Sequence, residues 1–353
     1  VWGTAIFAAA TDGIAPRQRG VNPVVEEIVQ LRRMGYRFLV LADDNFYSVS
    51  LTDIELAKRQ NNHQRLAELQ AMRAERFELM ETLSQLPKDM FLFTQITLEA
   101  AEDPAFLTAM RKARIRGALV GVEAVTKEGL KAVYKDFNPA GEHLVERLRE
   151  FRRRDVHVLG SFIFGLPTDR AETFEATASL ALEAEVTFAQ FVMMTPFPGT
   201  IDFQNWEKHL GEGVPVVHGV PVTRYWLLPT HQRPKLYAPH PTMTPVEIRA
   251  RTQGVWDRFY SLREIWKRSR CTTSLKARLI FLLMSKLYRQ MYANTGIATD
   301  SARKRSANRW SRWLAKPCRL LFLAKPMPGL VAPSQGSPAK ASVGYKIAHP
   351  EKV

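Results

Sequence analysis

Cysteine is nearly absent: the 353 residues contain two, Cys271 and Cys318, far apart and set among basic neighbours. That excludes a disulfide framework and a cysteine metal knot, and it points to a reducing, cytoplasmic setting. Long apolar runs are also missing. The stretch Leu279 to Met284 is far too short to cross a bilayer. No basic stretch leads into an apolar signal segment at the N-terminus, so export is not expected. The chain opens on Val1 rather than methionine, and the expectation is a fragment of something longer. With 46% hydrophobic and 24% charged residues a disordered chain is excluded. The length suits one large α/β domain plus an extension.

Acidic residues are scarce in one region. Arg251 to Lys325 holds 18 of the 50 lysines and arginines but only three of the 35 acids, Asp257, Glu264 and Asp300. The rest of the chain carries 32 of each sign, so this block accounts for the whole net charge of +15. A block of that kind suits a polyanion, either an anionic membrane face or nucleic acid, and it equally suits a solvated helical surface.

What is present is an alternation of helical and strand patterns. Val24, Ile28 and Leu31 share one face of a helix read with Asn22 as its N-cap and Pro23 at its first position. Arg37 to Ala42 reads as a strand, Thr52 to Leu86 as two charged helices, and Met90 to Ile96 as the next strand. Helices follow at Pro104 to Ala113, Gly141 to Arg153 and Arg170 to Ala184, with strands at Gly117 to Val122, Val156 to Phe164 and Thr187 to Met194. Five strands separated by helices predict a parallel sheet with right-handed crossovers, hence an α/β fold built on a partial (βα) barrel with a mostly helical, basic C-terminal extension. Pro245 to Arg268 reads as one helix with a capping box from Thr244 to Glu247, and Leu275 to Tyr292 as another. The leucines of that last helix suit packing against the barrel, and its basic flanks suit a membrane surface. The expected organisation is a barrel over residues 1–205, an irregular Pro-rich segment over its mouth at 206–244, a basic helical extension at 245–325 and a loose tail at 326–353.

Chemistry is expected at the C-terminal ends of the strands, where α/β barrels keep it. Asp43, Asp44 and Asn45 follow the first strand; adjacent carboxylates repel unless something positive is bound, such as an ammonium group or a metal, although an acid there also suits a cap. Glu123 ends an apolar strand, where it suits sugar hydroxyls or the start of the next helix. Gly160 and Gly165 bracket a strand whose missing side chains leave room for a flat ring, although glycines in strands also occur simply as barrel packing bends, and Pro167 and Asp169 start the next helix. Gly160 to Asp169, read with Gly121-Val-Glu123 before it and Pro196 to Thr200 after it, is the most informative part of the sequence.

In this order, together with Asn22 to Ile28 and Asp43 to Phe46, these motifs resemble the radical S-adenosylmethionine superfamily, most closely its cobalamin-binding branch, with an extended tail similar to that of hopanoid methylases. The match covers roughly Gly20 to Thr200. The resemblance implies a partial (βα) barrel in which a [4Fe-4S] cluster reductively splits S-adenosylmethionine and the resulting 5′-deoxyadenosyl radical abstracts hydrogen from substrate. It places Asp43, Asp44 and Asn45 at the amino group of the methionine moiety, Glu123 at ribose or methionine, and Gly160 to Gly165, including Phe162, along adenine. Gln95 and Pro167 complete the expected contacts. No residue is assigned as the catalyst.

One departure is serious. The superfamily holds its cluster with a CxxxCxxC loop after the first strand, and by spacing that loop should lie at or before residues 1–10, yet Val1 to Ala10 has no cysteine. The cluster ligands are therefore absent from this chain, which alone is expected to be inactive. The expectation is truncation upstream, with loss of a cobalamin domain and the cysteine loop; a degenerate relative is the alternative. For the full-length form the implied activity is cobalamin-dependent methylation of an apolar, lipid-like substrate, served by an electron donor for the cluster and held through the basic tail at an anionic membrane surface, which makes the protein cytoplasmic and peripheral. Radical modification of nucleic acid ranks lower, because that group ends in a small β-barrel and this tail reads helical. A non-catalytic, membrane-associated remnant of the fold is the third reading.

Overall fold

A computed structural model of the chain describes residues 19–295 except 134, 136, 137, 139, 212, 230, 231 and 235–239. The expected tail and the last 30 residues of the basic extension, 296–325, lie outside the described residues, as do residues 1–18 of the expected barrel. Strands β1 (Phe38–Val40), β2 (Phe91–Ile96), β3 (Ile115–Glu123), β4 (His157–Phe164) and β5 (Phe188–Met193) lie side by side in chain order, each neighbouring pair parallel. Parallel pairing of consecutive strands demands a crossover every time. Helices α2 (Leu51–Arg59) and α3 (His63–Ser84) make the first, α4 (Pro104–Lys112) the second, α5 (Lys127–Ala132) and α6 (Glu142–Arg153) the third, and α7 (Ala171–Glu183) the fourth. The sheet curls into a half-barrel with helices around it.

Strand parity divides the side chains into two sets. Ala118, Val120, Val122, Phe162, Phe164, Ala189 and Phe191 turn to the helical layer and are buried with Phe106, Leu107, Leu148, Phe151 and Phe174 in one continuous core. Gln95, Leu119, Ser161, Ile163, Gln190 and Val192 turn the other way and line the hollow of the half-barrel. The concave face is where polar side chains interrupt otherwise apolar strands.

Helix α1 (Val21–Arg33) buries Val21 and Ile28 and follows Gly20, so Asn22 lies inside it rather than capping it. Pro23 is tolerated because backbone N–H groups of a first turn have no partner within the helix.

The two ends of the sheet differ. At β5 the Tyr260 hydroxyl accepts from the Ala189 N–H at 3.0 Å and donates to the Ala189 carbonyl at 2.8 Å, while Trp256 Nε1 donates to the Phe191 carbonyl at 2.8 Å. The expected helix 245–268 is two helices: after α8 (Ile201–Leu210) come α9 (Pro245–Phe259) and α10 (Leu262–Arg268). The Thr244–Glu247 capping box is present, and Ser261 caps a new start by accepting from the Glu264 N–H. The interruption leaves Tyr260 at the junction, where its hydroxyl reaches β5. Arg268 then ties α10 to the strand, donating to the Thr187 carbonyl at 2.8 Å and the Phe259 carbonyl at 2.6 Å, and burial pushes its guanidinium down to about 10. At the other end, Phe38 and Val40 of β1 are 61% and 56% exposed, and among the described residues no strand pairs with its outer side.

The stretch read as irregular carries local order. Helix α8 crosses the expected boundary at 205, and a hairpin of β6 (Val216–Val217) and β7 (Val220–Pro221) follows it. Phe203 and Val222 form a small core there with Trp206 and Tyr225. Helix α11 (Leu275–Thr295) ends the described part.

Candidate functional site

A cavity of about 370 Å³ opens on the concave face at the C-terminal ends of β2 to β5. Its polar lining comes one strand at a time: Gln95 from β2, Glu123 from β3, Ser161 from β4 and Gln190 from β5, with Thr195, Thr200 and Asp202 beyond them. Its apolar lining is Leu119, Ile163, Val192, Met193, Met194 and Phe197.

Glu123 is aimed there by the backbone. The register shifts between Gly121 and Glu123, and Glu123 takes a φ of +67°, a left-handed conformation uncommon for a residue with a side chain. Its carboxylate is 3% exposed and accepts from Lys135 Nζ at 3.0 Å. Thr126, not Glu123, caps the following helix α5 by accepting from the Gly129 N–H. Across the cavity, Gln190 Nε2 donates to Ser161 Oγ at 2.9 Å and Tyr292 of α11 donates to Gln190 Oε1 at 2.6 Å. Because Ser161 Oγ accepts from the amide, its own hydrogen is available to the cavity. Burial pushes the Asp202 carboxyl up, and it pushes up Glu99, just beyond β2, where Asp53 adds to the effect.

Of the residues expected from the sequence, Gln95 and Glu123 meet in this cavity and the others lie elsewhere. Gly160 and Phe162 face the helical layer: a Cβ at Gly160 would lie 2.9 Å from the Phe162 ring, and that ring stacks on Phe191 at 5.3 Å. The glycine is thus explained by core packing with its neighbour on the same face. Gly165 takes a φ of +89° in the turn after β4, and its N–H and that of Leu166 both donate to Asp169, at 2.8 and 3.1 Å. Asp169 is buried, and loss of hydration outweighs those two hydrogen bonds, so its carboxyl is pushed up to about 6. Pro167 is exposed in the same turn.

The positive partner expected for the paired acids belongs to the chain itself. Arg76 of α3, 6% exposed, donates to Asp43 at 3.2 Å and lies 4.3 Å over the Phe46 ring. Asp43 and Arg76 line a separate cleft against α1 and β1, Asp44 is exposed, and Asn45 Oδ1 accepts from the Tyr47 and Thr97 N–H groups, joining its loop to β2. Sequence reasoning did not single out Ser161 within the run Gly160 to Gly165, and it missed Gln190, Lys135, Asp202 and Tyr292. A polar residue in an apolar strand was the available signal for Ser161 and Gln190.

No protein-family model matches the chain. By sequence it is similar to the hopanoid C-2 methylase of Rhodopseudomonas palustris, 24% identical over 202 residues that cover 57% of this chain and 34% of the relative. It is also similar to an uncharacterized methyltransferase of Pyrococcus horikoshii, 30% identical over 92 residues, 26% of this chain and 20% of that protein. A bacteriochlorophyllide d C-8(2)-methyltransferase of Chlorobaculum tepidum is 22% identical over 144 residues, 37% of this chain and 32% of that one. The chain thus spans about a third or less of the length of these relatives. Among solved structures it is similar to the radical S-adenosylmethionine methyltransferase TsrM of Kitasatospora setae, with cobalamin and a [4Fe-4S] cluster bound, at a TM-score of 0.49 and 15% identity over 77% of this chain and 56% of that one. The cobalamin-dependent S-adenosylmethionine radical enzyme OxsB gives 0.48 and 12% over 85% and 46%. By sequence, then, the proteins to which this chain is similar are methyltransferases.

Proposed function

We propose that this chain is the S-adenosylmethionine-binding half-barrel of a cobalamin-dependent radical methyltransferase acting on an apolar, lipid-like molecule. The observation that carries the reading is the row of polar side chains on successive strand ends of one concave face: Gln95, the Glu123–Lys135 pair, Ser161 and Gln190. A carboxylate suits ribose hydroxyls or an ammonium, and the Ser161 hydroxyl suits an adenine ring nitrogen or a carboxylate. The apolar rim of Met193, Met194 and Phe197 suits a methyl acceptor like those named in the hopanoid and bacteriochlorophyllide relatives. Asp43, Asp44, Asn45, Gly160, Phe162, Gly165 and Pro167 belong to the reading only through their backbone or through a rearrangement of the Asp43–Arg76 pair.

The residues present do not fit the cluster. The sequence contains no CxxxCxxC, and among the described residues no group of three or more histidine, cysteine, aspartate or glutamate side chains is arranged to hold a metal. The part of this chain is accordingly to bind and orient, not to generate a radical. Cobalamin, the electron donor and an anionic membrane met by the basic tail belong to the reading of the whole protein. Calorimetric titration of the full chain with S-adenosylmethionine tests the proposal. Saturable binding at one site, weakened about tenfold or more in Glu123→Gln, is expected; no binding at millimolar ligand would remove it.

A further inference from the structure

Helix α11 presents two faces. Phe281, Ser285 and Tyr288 recur at helical spacing and pack toward the barrel, with Phe281 and Tyr288 against Phe188 at 5.5 and 5.4 Å between ring centroids. Ile280, Met284, Leu287 and Met291 recur at the same spacing and remain 42%, 37%, 40% and 52% exposed. At about 100° per residue these four fall within an arc of about 60°, turned roughly 100° from the packed face. The leucines of this helix are therefore not all used by the barrel: Leu287 faces outward, and Leu275 and Leu279 at the start are 64% and 55% exposed. The helix is not long and apolar enough to cross a membrane.

Asp257 of α9 pairs with Arg289 of α11 at 3.1 Å, and otherwise positive charge predominates along this part of the sequence. From Ile265 to Thr299 there are seven lysines and arginines and no carboxylate; on α11 Lys276 is exposed, and Lys286 lies at the surface with its Nζ donating to the Tyr260 carbonyl at 2.6 Å. An apolar stripe beside an excess of cations disfavours a basic partner, whereas a surface of anionic headgroups over acyl chains satisfies both parts.

We propose that the Ile280–Met284–Leu287–Met291 face of α11 docks on an anionic membrane surface, lying in the interface with Lys276 at headgroup level. The inference does not depend on the methyltransferase reading, since it concerns a face outside the cavity and requires no bound S-adenosylmethionine. Vesicle cosedimentation of the full chain tests it, comparing pure phosphatidylcholine with phosphatidylcholine containing phosphatidylserine across a salt series. The chain is expected to bind the anionic vesicles, less tightly as salt rises, with a residual apolar component. The double variant Ile280→Glu, Leu287→Glu changes two exposed positions, and a thermal melt matching the unaltered chain establishes that it folds. Its binding is expected to fall about tenfold or more. Undiminished binding of the folded variant would overturn the proposal, and so would a parent chain that is dimeric where the variant is monomeric, because the face then serves a second copy. If removal of residues 296–353 newly exposes the stripe to an apolar dye, the tail is its occupant and the proposal also fails. Binding of S-adenosylmethionine is unaffected in every one of these outcomes.

Discussion

The two ends of the half-barrel handle the same problem in opposite ways. A terminal strand offers unpaired backbone groups and one side of a hydrophobic face. At β5 this chain covers both: Tyr260 and Trp256 occupy backbone groups of Ala189 and Phe191, and α9 and α11 bury the side chains beyond. At β1, among the described residues, no strand pairs with the outer side, and Phe38, Val40 and the neighbouring Phe91 remain more than half exposed. Side-chain capping requires residues placed for it, so a finished edge is costly to disturb and an unfinished edge is not.

The contrast is broken most easily at the sealed end. Trp256 is fully buried and edge-on to Phe191 at 5.5 Å, so Trp256→Ala is expected to lower unfolding free energy by about 3–5 kcal/mol in a denaturant titration. One strand inward, Asp169 makes the turn after β4 sensitive to pH. Its folded carboxyl titrates near 6, above the unfolded value of 3.8, so the folded state binds the extra proton between those values. Stability is therefore expected to fall as pH rises from about 4 through 6, by at most about 3 kcal/mol, and Asp169→Asn should flatten that part of the stability profile. Tyr260→Phe keeps the ring and removes only the hydroxyl from the backbone of Ala189; about 1–3 kcal/mol is expected in the same titration. Phe38→Thr at the open end should change stability by about 0.5 kcal/mol or less, since little is buried there to lose. A loss at Phe38 equal to that at Trp256 would erase the distinction between the two edges.

Much of the fold is legible in the residues. The apolar runs ending at Ile96, Phe164 and Met193 become strands with ends within one or two positions of those read from the pattern, because consecutive parallel strands need apolar residues on both faces and turn signals between them. What was not legible is what depends on distant partners. The pairing of Asp43 with Arg76 spans 33 residues, and the reach of Tyr260 to Ala189 spans 71, so no local pattern discloses either. Tyr260 also splits a helix that periodicity runs straight through. Within the site, glycine drew attention to Gly160, whereas parity assigns the hollow to Ser161, the residue beside it. The bulge at Gly121 to Glu123 is a similar case: nothing in three residues announces a positive φ, yet it is what turns Glu123 inward.

Whether the concave face of β2 to β5 is a ligand site is decided by hydrogen exchange of the full chain with and without S-adenosylmethionine. Slowed exchange is expected at the strand ends near Gln95, Glu123, Ser161 to Gly165 and Gln190 to Thr195, with no change along β1 or on the outer faces of α6 and α7. Protection confined to the cleft of Asp43 and Arg76, or none anywhere at saturating ligand, would contradict it.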